Sequence, residues 1–223
     1  MSIVLAAEVA KVVNKHSMKR GSLLARAVFA GALLALCVGS VSAWAGELDG
    51  YKAVPVNNGP NNLHLYGHEI LGFRAWRENF NAHGFDIVTL YMRNKVDGKL
   101  GAWNLVPIFS RQKDGEKEQF ELTISGGADC QLHDFRLLVA TDNRPVQLII
   151  ARRDLGESYA DAATVHFDYY TLAENADGDP GWPSFYFKAQ KTTQARVPYC
   201  DVNEAFDKEL NLGTSSGAGG PGS

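Results

Sequence analysis

The sequence is poor in cysteine and lacks any long stretch of one charge sign or of apolar residues. Its 223 residues include 3 cysteines, and 22 Lys and Arg against 25 Asp and Glu give a formal net charge of −3. Without a clustered basic excess, the chain lacks the electrostatic basis for binding nucleic acid, so we expect no nucleic-acid partner. Hydrophobic residues make up 45% and charged residues 21%, which is typical of a globular domain.

The longest uncharged apolar run is too short for a membrane-spanning helix. Ala27–Val41 has 15 residues, whereas a spanning helix needs about 18 or more. A basic segment from Met18 to Arg26 precedes the run, and Ala43-Trp44-Ala45 follows it as a small-x-small cleavage site. This order predicts a signal peptide over residues 1–45, with translation starting at Met18. We therefore expect a periplasmic or secreted protein, cleaved near Ala45, with no stable membrane anchor.

Cleavage would change both the charge and the cysteine count. Loss of residues 1–45 removes five of the 22 bases and one of the 25 acids, which leaves a net charge of −7. It also removes Cys37, so Cys130 and Cys200 remain. An even pair in an oxidising compartment predicts one disulfide; two inert buried thiols are the alternative. No C-x-x-C occurs, so we do not expect thiol redox catalysis.

Short apolar and aromatic runs alternate with turn-forming segments from Leu63 to Gln190. Runs typical of strands cover residues 85–93, 103–110, 119–125, 132–140, 145–152, 164–172 and 184–189. Residues 69–81 fit either a helix or a strand, and we favour a strand. Strands at this spacing predict a mainly β fold of antiparallel sheets, arranged as a sandwich or an open barrel.

Alternation within two of these runs predicts which side chains are buried. Phe120, Leu122 and Ile124 alternate with polar residues, which predicts one buried face. His166, Asp168 and Tyr170 alternate with Val165, Phe167 and Tyr169, which predicts a polar face opposite an aromatic one.

The ends of the mature chain differ from its centre. Asp201 with Glu204 three residues later, followed by an apolar stripe, predicts a short C-terminal helix over residues 201–212. We expect residues 46–62 to be a loose N-terminal segment and residues 63–212 to form a single β-rich domain. Residues 213–223 (GTSSGAGGPGS) have too few apolar side chains to be buried and predict a disordered tail.

Three short patterns imitate catalytic or metal-binding motifs without their context. Ser110-Arg111-Gln112-Lys113 matches S-x-x-K at a predicted strand end, but neither S-D-N nor K-T-G occurs. His64 and His68 lack the intervening Glu of a zincin. Asn175-x-Asp177-x-Asp179 lacks the Gly and the bidentate Glu of a calcium loop. We therefore expect a protein that is not an enzyme, with no catalytic residue, metal or cofactor.

Aromatic and charged residues near the predicted turns are weak ligand-binding candidates. Aromatic rings offer broad amphipathic faces, and alternate charged residues on a strand share one face. The candidates are Trp103, Asp134, Arg136, Trp182 and Tyr186. In the alternative interpretation the tryptophans are core residues, and Asp134 and Arg136 pair with charges on neighbouring strands.

Several short segments follow a known family pattern. They are Trp103–Pro107 (WNLVP), Asp129-Cys130, Asp134–Leu138 (DFRLL), Asp179–Pro183 (DPGWP) with Tyr186-Phe187, and Asp201–Ala205 (DVNEA). These segments resemble the CarG family of carbapenem intrinsic-resistance proteins, over about residues 62–207. The resemblance implies a periplasmic, mostly β protein that protects the cell from a carbapenem without being a recognised β-lactamase. A homodimer is one form of the protein that the resemblance allows. It carries over no active-site residue.

Two classes of function stay open, and an unrecognised hydrolase is a third alternative. In the first, the protein is a non-enzymatic exported binding or protection factor whose ligand is a small molecule such as a β-lactam. In the second, it is an inhibitor or immunity module that binds a periplasmic protein, blocking a cell-wall-directed enzyme. The acidic mature charge suits the second class, because secreted lysozyme-like enzymes are often basic and opposite charges speed association.

Overall fold

The computed structural model describes residues 47–65, 68–96, 98–112, 115–127, 129–142 and 144–213. The expected signal peptide over residues 1–45 and residues 214–223 of the expected tail lie outside the described residues, as does Lys113. Among the described residues, no helix is long and apolar enough to cross a membrane.

The described residues form twelve strands followed by one helix. The strands are β1 (Tyr51–Val54), β2 (Gly59–Leu65), β3 (His68–Arg77), β4 (Phe85–Val96), β5 (Lys99–Leu105), β6 (Ile108–Gln112), β7 (Gly115–Gln119), β8 (Leu122–Gly126), β9 (Gln131–Ala140), β10 (Gln147–Arg153), β11 (Val165–Glu174) and β12 (Phe185–Gln194), and the helix is α1 (Val202–Leu210). The expected mainly β fold with a short C-terminal helix is confirmed, and the ambiguous residues 69–81 contribute most of β3.

All strands belong to one sheet. Its order is β2-β3-β4-β8-β9-β10-β11-β12-β6-β7, with β1 paired to β9 and β5 paired to β4. The pairs are antiparallel except β6 with β12, where Ile108 lies beside Phe187 in parallel register. The sheet is therefore mixed, unlike the wholly antiparallel sheets expected from sequence. Parallel neighbours need a long connection, and the chain from β7 to β11 supplies it.

The sheet curls without closing. The Val106 amide donates to the Leu90 carbonyl of β4 at 2.8 Å, and the Phe187 amide of β12 donates to the Pro107 carbonyl at 2.8 Å. The short Val106-Pro107 link thus contacts strands that lie far apart in the sheet order. This curl gives the sheet an inner face and an outer face.

Each face of the sheet has its own apolar core. The inner core includes Val88, Leu90, Met92, Leu137, Leu148 and Phe187. The outer core packs α1 against β9, β10 and β11 and includes Leu138, Ile149, Phe167, Val202 and Phe206. Because successive strand residues point to opposite faces, the apolar runs of β9 and β10 supply both cores.

A disulfide and a helix cap fix α1 at its first residues. Cys130 and Cys200 are joined, with their Cα atoms 5.6 Å apart, which confirms the predicted disulfide. The Asp201 carboxylate accepts a hydrogen bond from the Asn203 amide at 2.7 Å, as the predicted N-cap requires. The covalent link and the cap together hold the helix start beside β9.

Three details differ from the sequence expectations. Residues 103–110 form two strands, because the Val106-Pro107 link interrupts them. Phe120 is exposed, because it lies in the link between β7 and β8 and not on a strand face. The segment 46–62, expected to be loose, contains β1, which pairs with Leu137–Ala140 of β9 where β8 no longer covers that edge.

Candidate functional site

The inner face of the sheet changes from apolar to polar along its strands. Where the inner core lies, this face presents residues such as Leu137, Leu148 and Tyr170. Toward the other end of the strands, neighbouring positions in register are Ser125, His133, Arg152, His166 and Gln194 of β8 to β12. A continuous row of polar side chains therefore borders the core on one curved surface.

An open groove of about 600 Å³ lies on this polar part of the sheet. Its lining includes hydroxyl, imidazole, guanidinium and carboxylate groups from strands β6 to β12 and the β7–β8 link. Its polar lining residues include Ser110, Arg111, Glu121, Ser125, His133, Arg152, Asp168, Tyr170, Lys191 and Thr192. Small-molecule sites in proteins typically measure about 300–1,000 Å³, so the groove has a suitable size.

Arg152 and Asp168 form the central charged pair of the groove. Nε and Nη2 of Arg152 lie 2.8 Å and 2.7 Å from the same oxygen, Oδ2 of Asp168. The other oxygen, Oδ1, accepts a hydrogen bond from the Thr192 hydroxyl at 2.6 Å. The Arg152 side chain is 50% exposed, whereas that of Asp168 is 14% exposed. The Asp168 carboxylate is therefore held in place by Thr192, and it supports the Arg152 guanidinium, which projects into the groove.

A serine and a histidine lie beside this pair. Ser125 Oγ is 3.1 Å from Nδ1 of His133, and His133 is directly opposite Arg152 in the β9–β10 register. Burial, and secondarily the positive charge of Arg152, lower the pKa of His133 below its ordinary value of 6.5. His133 is therefore neutral at neutral pH and can exchange hydrogen bonds with Ser125 without adding charge.

Two hydroxyls meet at the boundary between the groove and the inner core. Ser110 Oγ and the Tyr170 hydroxyl are 3.0 Å apart, and the Ser110 hydroxyl also donates to Oε1 of Gln119 at 3.2 Å. Burial raises the pKa of Tyr170, so its hydroxyl stays protonated at neutral pH. This end of the groove offers neutral hydrogen-bonding groups beside an apolar wall.

The groove lacks a chemical feature that catalysis of hydrolysis commonly uses. In a serine-nucleophile triad, a carboxylate orients and stabilises the histidine that activates the serine. Here the carboxylate of Asp168 is bonded to Arg152 and Thr192, while His133 contacts Ser125. Among the described residues, no group of three or more His, Cys, Asp and Glu side chains could hold a metal ion.

Two of the predicted aromatic candidates meet outside this groove. Trp182 and Tyr186 have ring centroids 5.3 Å apart, and Phe109 lies 5.0 Å and 5.5 Å from them, respectively. We call Phe109, Trp182 and Tyr186 the aromatic patch. Trp182 is 44% exposed, so it is not a core residue.

The third predicted aromatic residue contacts an arginine. Trp103 on β5 is 42% exposed, and the guanidinium of Arg93 lies 5.4 Å from its ring centroid. Asn94, the neighbour of Arg93, hydrogen-bonds to Ser184 at 2.9 Å, which brings this hairpin next to the loop that carries Trp182. Within the described part of the chain, however, Trp103 has no ring contact with the aromatic patch.

The two charged candidates are buried. Asp134 and Arg136 are joined by a 3.0 Å ion pair along β9, and Arg136 also donates to Asn203 of α1 and lies 4.2 Å from the Phe206 ring. They border a small cavity of about 190 Å³ and not the large groove. The pair therefore fixes α1 to the sheet, whereas the interpretation from sequence left a surface role open.

Sequence reasoning missed most of the groove but contained one signal of it. The alternation of His166, Asp168 and Tyr170 predicted a polar strand face, and Asp168 and Tyr170 line the groove. Arg152 and His133 carried no motif, and they become neighbours only through the pairing of β9 with β10. Polar residues at matching alternate positions of three adjacent strands are the sequence pattern that could have predicted the groove.

Comparison with known proteins agrees with the fold and with the resemblance noted from sequence. The family described as "Carbapenem resistance protein CarG-like" matches residues 57–208. The chain belongs to the CarG-like family.

A solved structure, "Crystal structure of CarG", matches this CarG-like chain with a TM-score of 0.53 and 23% sequence identity. The match covers 73% of this chain and 99% of that chain, and at this identity it shows a shared fold. No curated protein matches the sequence significantly. The description of the family refers to carbapenem resistance.

Proposed function

We propose that this CarG-like protein is an exported, non-enzymatic protection factor that binds a β-lactam of the carbapenem class in the groove. The groove is the observation that carries the proposal. Its volume of about 600 Å³ suits a small molecule, and it combines an exposed guanidinium, several hydroxyls and an apolar wall. A carbapenem carries a carboxylate, carbonyl oxygens and an apolar bicyclic ring, which correspond to these three kinds of group.

Export is supported by the signal-peptide pattern and by the disulfide of the domain. Residues 18–45 have the order of a secretory signal peptide. The Cys130–Cys200 disulfide is of the kind that persists in oxidising compartments such as the periplasm. A periplasmic protein would encounter a carbapenem before the antibiotic acts on cell-wall synthesis.

A binding role without turnover is supported by the side-chain contacts in the groove. Asp168 is bonded to Arg152 and Thr192, and so it is not available to orient the His133 imidazole as a triad carboxylate would. Protection would then require roughly as many protein molecules as antibiotic molecules. The proposal therefore predicts stoichiometric binding with an intact lactam ring.

Blocking the groove tests this proposal. Thr123 lines the groove and is exposed, so Thr123→Trp should obstruct the groove while the cores keep their packing. Thr141→Trp is the matched control, because Thr141 is an exposed threonine outside the groove. We expect a carbapenem to raise the thermal midpoint of the wild type and of Thr141→Trp, but not that of Thr123→Trp.

The lactam absorbance, followed in the same samples, separates binding from hydrolysis. We expect it to stay constant. Its progressive loss would contradict the non-enzymatic part of the proposal, and an unchanged midpoint in the wild type would contradict binding.

The aromatic patch favours a second candidate function, recognition of a periplasmic protein. Trp182 is held by a turn in which Asn175 donates to the carbonyls of Asp179 and Trp182. Trp182 is exposed and packs on the half-buried Tyr186, and Trp and Tyr are typical anchors of protein interfaces. If this candidate is right, Trp182→Ala should abolish retention of a periplasmic partner, such as a basic cell-wall enzyme, while leaving the thermal response to carbapenem unchanged.

A further inference from the structure

We propose that Arg152 is the anchor for a ligand carboxylate, held in a binding orientation by Asp168. The inference rests on the proposed function, because it names the group of a carbapenem that the groove recognises. It extends that function by assigning affinity for an anionic ligand to one side chain.

The hydrogen-bond geometry of Arg152 leaves part of the guanidinium available. Its Nε and Nη2 atoms both contact Oδ2 of Asp168, so this pair uses one edge of the planar group. Among the described residues, Nη1 has no hydrogen-bond partner. Half of the side chain is exposed, and Arg152 lines the groove. A guanidinium can bind carboxylates along more than one edge, in pairs of parallel N–H···O bonds.

Asp168 is placed to orient Arg152 and not to compete with a ligand. Its Oδ1 is bonded to the Thr192 hydroxyl at 2.6 Å, and its side chain is mostly buried. Both oxygens are thus occupied by protein donors. A fixed carboxylate behind an exposed guanidinium restricts the rotamers of the long side chain, which lowers the entropy lost when a ligand binds.

The other cations that line the groove are less suitable anchors. Lys191 is bonded to Glu47 and lies 4.6 Å from the Tyr169 ring, so its ammonium is already engaged. Arg111 lies opposite Glu116 on the exposed edge hairpin of β6 and β7. An ammonium also cannot reproduce the planar, bidentate geometry of a guanidinium.

The surroundings of Arg152 suit an anion followed by an apolar body. His133, which faces Arg152 across the strand pair, is neutral at neutral pH, and Ser125 beside it offers a hydroxyl. Ile150 and Ala189 line the same groove nearer the inner core. Glu121 is the lining carboxylate that remains besides Asp168, and it lies on the β7–β8 link and not on the Arg152 row.

The test compares a carbapenem with the same carbapenem whose ring carboxylate is esterified. Both are titrated calorimetrically into the wild type, Arg152→Gln, Asp168→Asn and Arg144→Gln. Arg144 is the matched control, because it is also bonded through Nε to an aspartate, Asp142, and does not line the groove. Thermal midpoints without ligand show whether each variant is folded.

We expect the wild type and Arg144→Gln to bind the acid at least about tenfold more tightly than the ester, the size of one charge-assisted hydrogen-bonded pair. Arg152→Gln should lose this preference and bind both compounds as weakly as the wild type binds the ester. Asp168→Asn should reduce the preference while its affinity for the ester stays unchanged, since a residue that only orients Arg152 does not touch the rest of the ligand.

The outcomes separate this inference from the proposed function. Equal affinity of the wild type for acid and ester would overturn the carboxylate anchor and leave carbapenem binding in place. A preserved preference in folded Arg152→Gln would also overturn the anchor. Failure of the wild type to bind either compound would overturn both the anchor and the proposed function.

Discussion

At the scale of single residues, the groove brings a neutral imidazole next to a permanent cation. His133 and Arg152 are cross-strand neighbours, and this proximity adds to the effect of burial in disfavouring the protonated imidazole. The same two residues therefore influence both the stability of the fold and the charge of the site.

The lowered pKa of His133 predicts a specific pH dependence of stability. The unfolded chain has an ordinary histidine pKa of about 6.5 and so binds this proton more readily than the folded chain. As the pH falls through that value, the free energy of unfolding should decrease, and it should level off below the folded pKa. Above about pH 7.5 the imidazole is neutral in both states and contributes no such loss.

Substitution of His133 tests this linkage. In urea unfolding at about pH 7.5 and about pH 5.5, values that bracket the ordinary histidine pKa, His133→Gln should lose less stability on acidification than the wild type. Exposed His64, replaced by Gln, is the control and should behave like the wild type. An equal loss in His133→Gln and the wild type would contradict the assigned shift.

Residue patterns identified candidate side chains without showing which of them meet in the fold. Trp182 lies in a turn and Tyr186 at the start of β12, and the structure brings their rings together in a patch where Trp182 is exposed and Tyr186 is half-buried. Asp134 and Arg136 were correctly assigned to one strand face, but local alternation could not show that α1 covers that face. The sequence did not identify Arg152 as a site residue, because its position in the groove depends on the register between strands.

At the scale of elements, α1 is fixed to the sheet by three different interactions. Phe206 packs in the outer core, Asn203 accepts a hydrogen bond from Arg136, and Cys200 is bonded to Cys130 beside β9. The helix has nine residues, and helices this short are marginal in water unless tertiary contacts support them.

The disulfide should account for a large part of the stability of the domain. It spans 70 residues of sequence, and closing a loop of this length in the unfolded chain is worth about 4 kcal/mol in the chain-entropy description. We expect the free energy of unfolding, measured by urea denaturation, to be lower by about this amount in the Cys130→Ser, Cys200→Ser double variant. Reduction of the wild type should give a similar loss, whereas a loss below about 1 kcal/mol would contradict the structural role assigned to the bond.

Element boundaries depended on contacts that sequence patterns do not contain. Residues 103–110 look like one strand, but Val106-Pro107 bonds to β4 on one side and to β12 on the other. The turn-rich opening segment forms β1 because β9 extends beyond β8 and leaves an edge to be paired. Local propensity identified the strands, and tertiary hydrogen bonding determined where they break.

At the scale of the whole molecule, the curled sheet explains why one domain has two cores and a groove. The inner core lies inside the curl, the outer core is covered by α1, and polar residues of β8 to β12 line an open groove. The mainly β class followed from strand spacing in the sequence. The mixed sheet order and the curl did not, because they arise from pairing between distant segments.

We propose that the protein removes a carbapenem by holding it intact. Equilibrium dialysis of the mature protein against a carbapenem, followed by assay of the lactam on both sides of the membrane, tests it most directly. We expect accumulation on the protein side up to about one molecule per groove, with as much unopened antibiotic recovered as in a dialysis without protein. Equal concentrations on both sides, or recovery of more ring-opened product than in a dialysis without protein, would contradict this function.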